Sequence, residues 1–166
     1  MYRYLVCSDI HGNISNFEYA LREASAEGVD GVIVAGDTEM STGKLEEMVE
    51  AIGAKLYLVK GNCDYSNAAG LRDMITFELP HGKTCLLTHG HRYHVKSDLY
   101  TLAAVADNLK ADLVIYGHTH VYDDMSMGKV RLINPGALCG GYYSQASYIL
   151  MTVYDKGIDI LKRTIL

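Results

Sequence analysis

The chain has 166 residues, 49% of them hydrophobic, with 16 glycines and a formal net charge of −5. That length suits a single domain with its own apolar core, spanning residues 1–166, and the acidic balance argues against the clustered Lys and Arg of a nucleic-acid-binding surface. No apolar window approaches the roughly 18 residues needed to cross a bilayer, and the short run before Ser8-Asp9 is not the core of an export signal. Cys7, Cys63, Cys85 and Cys139 are scattered, form no C-x-x-C pair, and stand mostly in or beside apolar runs. Reduced thiols and a cytoplasmic location are therefore expected.

The first two-thirds of the chain alternates short apolar runs with helical patterns. Tyr2 to Cys7 is predicted to be a strand ending at Ser8-Asp9-Ile10-His11-Gly12. Ser15 and Glu18 have capping-box spacing, Ile14, Phe17, Leu21 and Ala24 recur at helical intervals, and Gly28 supplies a stop. Val32 to Ala35 reads as a buried strand ending at Gly36-Asp37. A helix with Leu45, Met48, Val49 and Ile52 on one face follows. Leu56 to Val59 makes a third strand, which stops at Gly61-Asn62-Cys63-Asp64.

Ile75 to Leu79 and Thr84 to Thr88 flank Pro80-His81-Gly82-Lys83 and predict a hairpin, whose second arm ends at His89-Gly90-His91. Leu99, Leu102, Ala106 and Leu109 define a third helix. Leu113 to Tyr116 is a strand ending at Gly117-His118-Thr119-His120. Val130 to Ile133, Tyr148 to Tyr154 and Ile158 to Ile165 are the closing strands, with hairpin signals at 127–129 and 155–157. Alternating strands and helices followed by antiparallel hairpins indicate a mixed α/β sandwich.

Five of these strands end in polar clusters: Asp9/His11, Asp37, Asn62/Asp64, His89/His91 and His118/His120. In α/β sheets, ligands gather beyond the carboxyl ends of the strands, where loops from distant parts of the sequence converge. Imidazole nitrogens with carboxylate or amide oxygens suit borderline divalent metals. Each cluster taken alone is ordinary turn chemistry, Asp-x-His and Gly-Asp included. The set as a whole, each member following an apolar strand, is not. Glycine beside nearly every cluster permits sharp turns and close backbone approach.

The motif order Asp9-x-His11, Gly36-Asp37, Gly61-Asn62-Cys63-Asp64, His89, Gly117-His118-Thr119-His120 resembles the calcineurin-like metallophosphoesterase superfamily. Within it, the length, the Gly-Asn-Cys-Asp block and Asn134-Pro135-Gly136 are most similar to the small single-domain phosphodiesterases. The resemblance implies an α/β/β/α sandwich of two mixed sheets flanked by helices. It also implies a binuclear centre. One metal would take Asp9, His11 and His120, the other Asn62, His89 and His118, with Asp37 bridging. Manganese is the expected ion, with nickel, iron, cobalt or zinc as alternatives. Two dications roughly 3.5–4 Å apart need a shared anion, and a water or hydroxide bridging them would be the nucleophile.

In this reading Asp37, Asn62 and His89 carry catalysis, and Asn62, Cys63 and His91 contact a small phosphodiester or nucleotide-like substrate. His94 is a further candidate for substrate contact. Many superfamily members carry His where this chain has Cys63, and a thiol is poorly matched to protonating a leaving oxygen. Weak activity on alkyl monoesters and a preference for diesters with acidic leaving groups are expected. Asp64 is expected to play a supporting or structural part, orienting a ligand histidine. Tyr142 and Tyr143, beside Gly140-Gly141, are candidates for a substrate rim.

Three other readings compete. A scaffold of the same fold, similar to the small retromer subunit, would bind partner proteins without catalysis, but such members tend to lose ligand histidines and here every ligand position is filled. A phosphomonoesterase or nucleotide pyrophosphatase would need cations for a dianionic phosphate, and Arg92 and Lys96 are the nearest candidates. A P-loop enzyme is excluded by the absence of G-x-x-x-x-G-K-[ST]. A homo-oligomer is compatible with the resemblance.

Overall fold

The computed structural model of the chain describes residues 1–65 and 68–166. Strand β1 (Tyr2–Cys7) alternates its side chains in the period-two manner of an extended chain, so Leu5 and Cys7 face one core while Tyr4 and Val6 face another. It pairs in parallel with β2 (Gly31–Val34), which pairs in parallel with β3 (Lys55–Leu58). On its other side β1 is antiparallel to β9 (Ala146–Tyr154), which pairs with β10 (Gly157–Ile165). The first sheet thus has the order β10-β9-β1-β2-β3.

The second sheet is built around β5 (Lys83–Thr88), β6 (Leu113–Ile115) and β8 (Val130–Pro135), mutually parallel. Antiparallel strands close its edges: β4 (Met74–Leu79) beside β5 and β7 (Tyr122–Met127) beside β8. Helices α1 (Ile14–Glu27) and α2 (Thr42–Glu50) pack on the outer face of the first sheet, and α3 (Tyr100–Asn108) packs on the outer face of the second. Val6, Ile33, Leu87, Ile115 and Ile149 fill the space between the sheets. The architecture is the α/β/β/α sandwich, with three apolar layers of burial. Each large side chain such as Phe17, fully covered beneath α1, contributes about 1.5–3 kcal/mol by leaving water.

Three sequence expectations need correction. Helix α1 is capped by Asn13, whose side chain accepts from the Asn16 amide at 3.1 Å, so Ser15 and Glu18 lie inside the helix and form no capping box. Gly12, at φ 72°, turns the chain one step earlier than the sequence pattern indicates. Leu109 follows the last turn of α3 and is 43% exposed rather than part of its buried face. Strand β7 was not anticipated as a strand, because Tyr122-Asp-Asp-Met-Ser-Met lacks apolar alternation. As an edge strand with one solvated side it does not need it, and Asp124 holds it to β8 through two 2.8 Å bonds donated by the Arg131 guanidinium.

Candidate metal centre

Asp9 follows β1, Asp37 follows β2, Asn62 follows β3, His89 follows β5 and His118 follows β6. All five leave the carboxyl ends of parallel strands, so the two sheets deliver their polar loops to one crevice. The loops continue the strand pairing beyond the sheet. The Asp9 amide donates to Gly36 O at 3.1 Å, the His11 amide to Asp37 O at 3.0 Å, and the Gly117 amide to His89 O at 3.1 Å. The His118 amide donates to Asp9 Oδ2 at 3.1 Å, which ties the second sheet to the first at the site.

Three overlapping groups of donor atoms result. Asp9 Oδ1 stands 3.1 Å from His120 Nε2 and 3.6 Å from His11 Nε2, and these two imidazole nitrogens are 3.3 Å apart. Asp37 Oδ2 stands 3.1 Å from His89 Nε2 and 3.8 Å from His11 Nε2. Ligand atoms of Asp9, His11 and His120 all lie within 4.8 Å of one another, as do those of Asp37, His89 and His118, and those of His11, Asp37 and Cys63. Asp37 therefore belongs to two of the groups, and its Oδ2 lies 3.8 Å from His11 of the remaining one.

The ring orientations are fixed from behind. His89 Nδ1 lies 2.6 Å from the Ala35 carbonyl, which can only accept, so Nδ1 carries a proton and Nε2 is aimed at the carboxylates. His11 Nδ1 is held in the same way by Glu39 Oε2 at 2.5 Å, leaving Nε2 to face Asp9. Buried Asn134 donates to Gly117 O and Thr119 Oγ1, each at 3.0 Å, and so anchors the loop that carries His118 and His120. Close approach of backbones also requires glycine. A Cβ at Gly61 would overlap Asp37 Oδ1 and the Asp37 amide, and one at Gly117 would overlap Ser8 Oγ and reach Asp9 Oδ2 at 2.8 Å.

The electrostatics follow from two buried carboxylates. Burial pushes the Asp9 carboxyl up, but the adjacent imidazoles of His11 and His120 and the nearby His89 outweigh it, and its pKa lies well below the usual range. Asp37 moves down for the same balance of burial against the adjacent His89 ring and the Cys63 amide. His11 is raised to about 9, chiefly by Asp9 and then, against burial, by Glu39. His89 loses basicity to burial and regains more from Asp37 and Asp9, so it too is raised. His118 is lowered to about 4 by burial, Lys96 and His89. Burial and His89 also lower His91.

These features fit a metal. Asp9 Oδ1 and His89 Nε2 are buried atoms without a hydrogen-bond partner among the described residues, which is costly unless another group satisfies them. Donors bound to one cation at about 2.0–2.1 Å stand roughly 3.0–3.4 Å from one another, close to the spacings among Asp9, His11 and His120. Backbone strain concentrates at the same place. Asp9, His11, Asp37, Glu39, His118 and His120 all have φ between 46° and 69°. Left-handed non-glycine residues cost on the order of 1–3 kcal/mol each, and a cluster of six is held only where the surroundings over-determine it.

The remaining expected site residues are placed as follows. Asn62 is exposed at the crevice rim, and its side chain donates to Cys63 Sγ at 3.5 Å. The Cys63 amide donates to Asp37 Oδ1 at 2.7 Å, while burial and the Asp37 charge raise the thiol to about 11. His91 lies beside the second group, with its ring 5.5 Å from that of His89 and 6.2 Å from that of His118, and its buried Nδ1 has no hydrogen-bond partner among the described residues. His94 is exposed beyond that turn. Arg92 is engaged by Asp73 at 3.2 Å.

Asp64 has a structural place: its carboxylate accepts from the amides of Thr38, Glu39 and Gly61 at 2.9–3.0 Å and so clamps the Asp37 and Asn62 loops together. Glu39 was missed by sequence reasoning, although a carboxylate two residues beyond Asp37 repeats the spacing of Asp9 and His11. Asn134 was noted only as part of a family segment, with no role attached.

Fold and site together define a metallophosphoesterase-type sandwich with a His/Asp donor cluster in its crevice. Residues 2–156 match the calcineurin-like phosphoesterase superfamily domain, and the chain belongs to that superfamily. It is 31% identical over 134 residues to the probable metallophosphoesterase YsnB of Bacillus subtilis, covering 81% of this chain and 73% of that protein. It is also 31% identical over 152 residues to phosphodiesterase MJ0936 of Methanocaldococcus jannaschii, covering 81% and 83%. Among solved structures, Vps29 of Entamoeba histolytica, in complex with Zn²⁺, superposes with a TM-score of 0.80 at 22% identity over 98% of this chain and 92% of that one, a likeness of fold alone. No helix among the described residues is long and apolar enough to cross a membrane.

Proposed function

We propose that the chain is a two-metal phosphodiesterase. The observation that carries this reading is the pair of donor groups, Asp9/His11/His120 and Asp37/His89/His118, with Asp37 of the second 3.8 Å from His11 of the first. Asp9, His11 and His120 would hold one divalent ion, and Asn62, His89 and His118 the other, with Asp37 shared. When bound, the ions supply the positive charge that acidifies the attacking water and neutralises the phosphate oxygens. Manganese remains the expected ion, since a His/carboxylate/amide set does not exclude nickel, iron, cobalt or zinc.

The protein's own groups set the preference for diesters. Glu39 and the Ala35 carbonyl hold the rings of His11 and His89 in the tautomer that presents Nε2. Asn62, exposed at the rim, and His91, beside the second group, would contact phosphate oxygens. Arg92 is engaged by Asp73, which leaves Lys96, close enough to lower His118, as the cation facing the second group, enough for a diester monoanion. Cys63, with its thiol raised to about 11, stays protonated at neutral pH but gives its proton up reluctantly. Esters whose leaving oxygen needs no proton are therefore favoured.

The fold shared with Vps29 favours one other reading, a non-catalytic metal-binding scaffold. Hydrolysis separates the two. Purified protein with added Mn²⁺ is expected to hydrolyse bis(4-nitrophenyl) phosphate, with a loss on the order of 100-fold or more in Asp37→Ala and His89→Ala. Full metal binding with no hydrolysis of any diester or monoester tested would favour the scaffold. A cytoplasmic location and a homo-oligomeric state belong to the same reading.

A further inference from the structure

A cleft of about 620 Å³ opens beside the donor cluster, with His120 on its wall. That volume lies within the roughly 300–1,000 Å³ of small-molecule sites. Tyr122 and Lys162 line it from the strands, and Tyr142, Tyr143 and Gln145 line it from the loop that follows Gly140-Gly141. Tyr142 and Tyr143 are 93% and 96% exposed and stand edge to face, with ring centroids 4.8 Å apart. They bury nothing, so packing does not account for two adjacent aromatic rings there.

The charge is equally particular. In a chain of net charge −5, the cleft is lined by no carboxylate, and Lys162 is its one lining lysine among the described residues, its ammonium 4.9 Å from the Tyr122 ring centroid. Aromatic faces interleaved with hydroxyl and amide groups suit a flat ring with a polar edge rather than an acyl chain. One end of the cleft meets the donor cluster at His120, where the phosphate would be held.

We propose that this cleft receives a nucleoside, the arm of a nucleotide-type phosphodiester that stays on phosphorus after hydrolysis, a proposal that rests on the phosphodiesterase reading. Water adds to phosphorus, the P–O bond to the other arm breaks, and the water's proton leaves with that oxygen as an alcohol. The product is a nucleoside monophosphate with its phosphate at the metal ligands and its base stacked on an exposed ring face of the Tyr142/Tyr143 pair. Base stacking on an aromatic side chain is commonly worth about 1–3 kcal/mol, equivalent to about 5- to 150-fold in affinity.

The test compares adenosine 5′-monophosphate with ribose 5-phosphate, which lacks the ring, by calorimetric titration of the Mn²⁺-loaded protein. The expected result is that adenosine 5′-monophosphate binds at least about fivefold more tightly. In a Tyr142→Ala/Tyr143→Ala variant the ratio is expected to fall toward one, and because both rings are exposed the variant keeps its packing, which circular dichroism checks. Equal affinities in the parent, an unchanged ratio in the variant, or no binding of either compound at millimolar concentration would each overturn the proposal. Hydrolysis of bis(4-nitrophenyl) phosphate is measured alongside. Ring-dependent binding without hydrolysis supports the cleft as a nucleoside site and sinks the enzymatic reading; hydrolysis without ring-dependent binding does the reverse.

Discussion

Glu39 Oε2 lies 2.5 Å from His11 Nδ1, and the opposite nitrogen of the same ring faces Asp9 at 3.6 Å. The carboxylate fixes which nitrogen carries the proton and which is free to bind a cation, and it raises the basicity of the binding nitrogen. Removing it leaves every proposed ligand in place while loosening one.

Glu39→Ala is therefore expected to weaken metal binding by about 10–100-fold. Glu39→Gln, whose amide oxygen can still accept from Nδ1, should recover part of the loss. Titration of the metal-free protein with Mn²⁺, followed calorimetrically, measures both. Identical affinities in all three proteins would remove Glu39 from any role at the centre.

The raised pKa of His11 makes a statement about pH. In the metal-free protein its imidazole titrates at about 9 against about 6.5 unfolded, so the protonated ring stabilises the fold fully below pH 6.5. That contribution is lost as pH rises through 9, and His89 adds in the same direction. The unfolding midpoint of metal-free protein should fall between pH 6.5 and 9.5. Because a metal must displace the same proton, Mn²⁺ affinity should rise over that interval. Midpoints that climb with pH would contradict the arrangement of His11 against Asp9.

Gly61 tests the steric argument. Any Cβ there overlaps Asp37 Oδ1 and the Asp37 amide, and the Asp64 clamp leaves the loop little room to retreat. Gly61→Ala is expected to cost about 1–3 kcal/mol of stability and to abolish high-affinity metal binding. Thermal unfolding and metal titration of the variant are the measurements. By contrast, Gly43→Ala, with open space at its Cβ, should leave metal binding unchanged.

Cys63 tests the assignment of the weak step. Cys63→His is expected to raise turnover of alkyl esters relative to aryl esters, because an imidazole protonates a poor leaving oxygen more readily than a thiol raised to about 11. Aryl leaving groups need no such help. Steady-state rates on matched alkyl and aryl esters give the ratio, and an unchanged ratio would remove Cys63 from the acid position.

Much of this site was legible because ligand chemistry and strand punctuation coincide. Asp9, Asp37, His89 and His118 each follow a run of buried apolar residues, and the carboxyl ends of parallel strands have one place to go. The support beneath them was harder to read. Glu39 looks like any exposed loop acid until the fold places it behind His11. Asp64 sits in a family motif, yet its job is to gather backbone amides, which no side-chain pattern announces. Strand β7 hid because an edge strand rich in Asp has no apolar period, and Asn13 displaced Ser15 as helix cap because Gly12 turns the chain early. Tyr142 and Tyr143 were visible as a rim, but their cleft depends on strands far along the chain.

The central claim is that two divalent ions, sharing Asp37, drive diester hydrolysis. The most direct test titrates metal-free protein with Mn²⁺ while following hydrolysis of bis(4-nitrophenyl) phosphate. Activity is expected to saturate at two equivalents per chain, to vanish on chelation, and to be absent from Asp37→Ala at every metal concentration. Saturation at one equivalent, or activity that survives in Asp37→Ala, would contradict a shared two-metal centre.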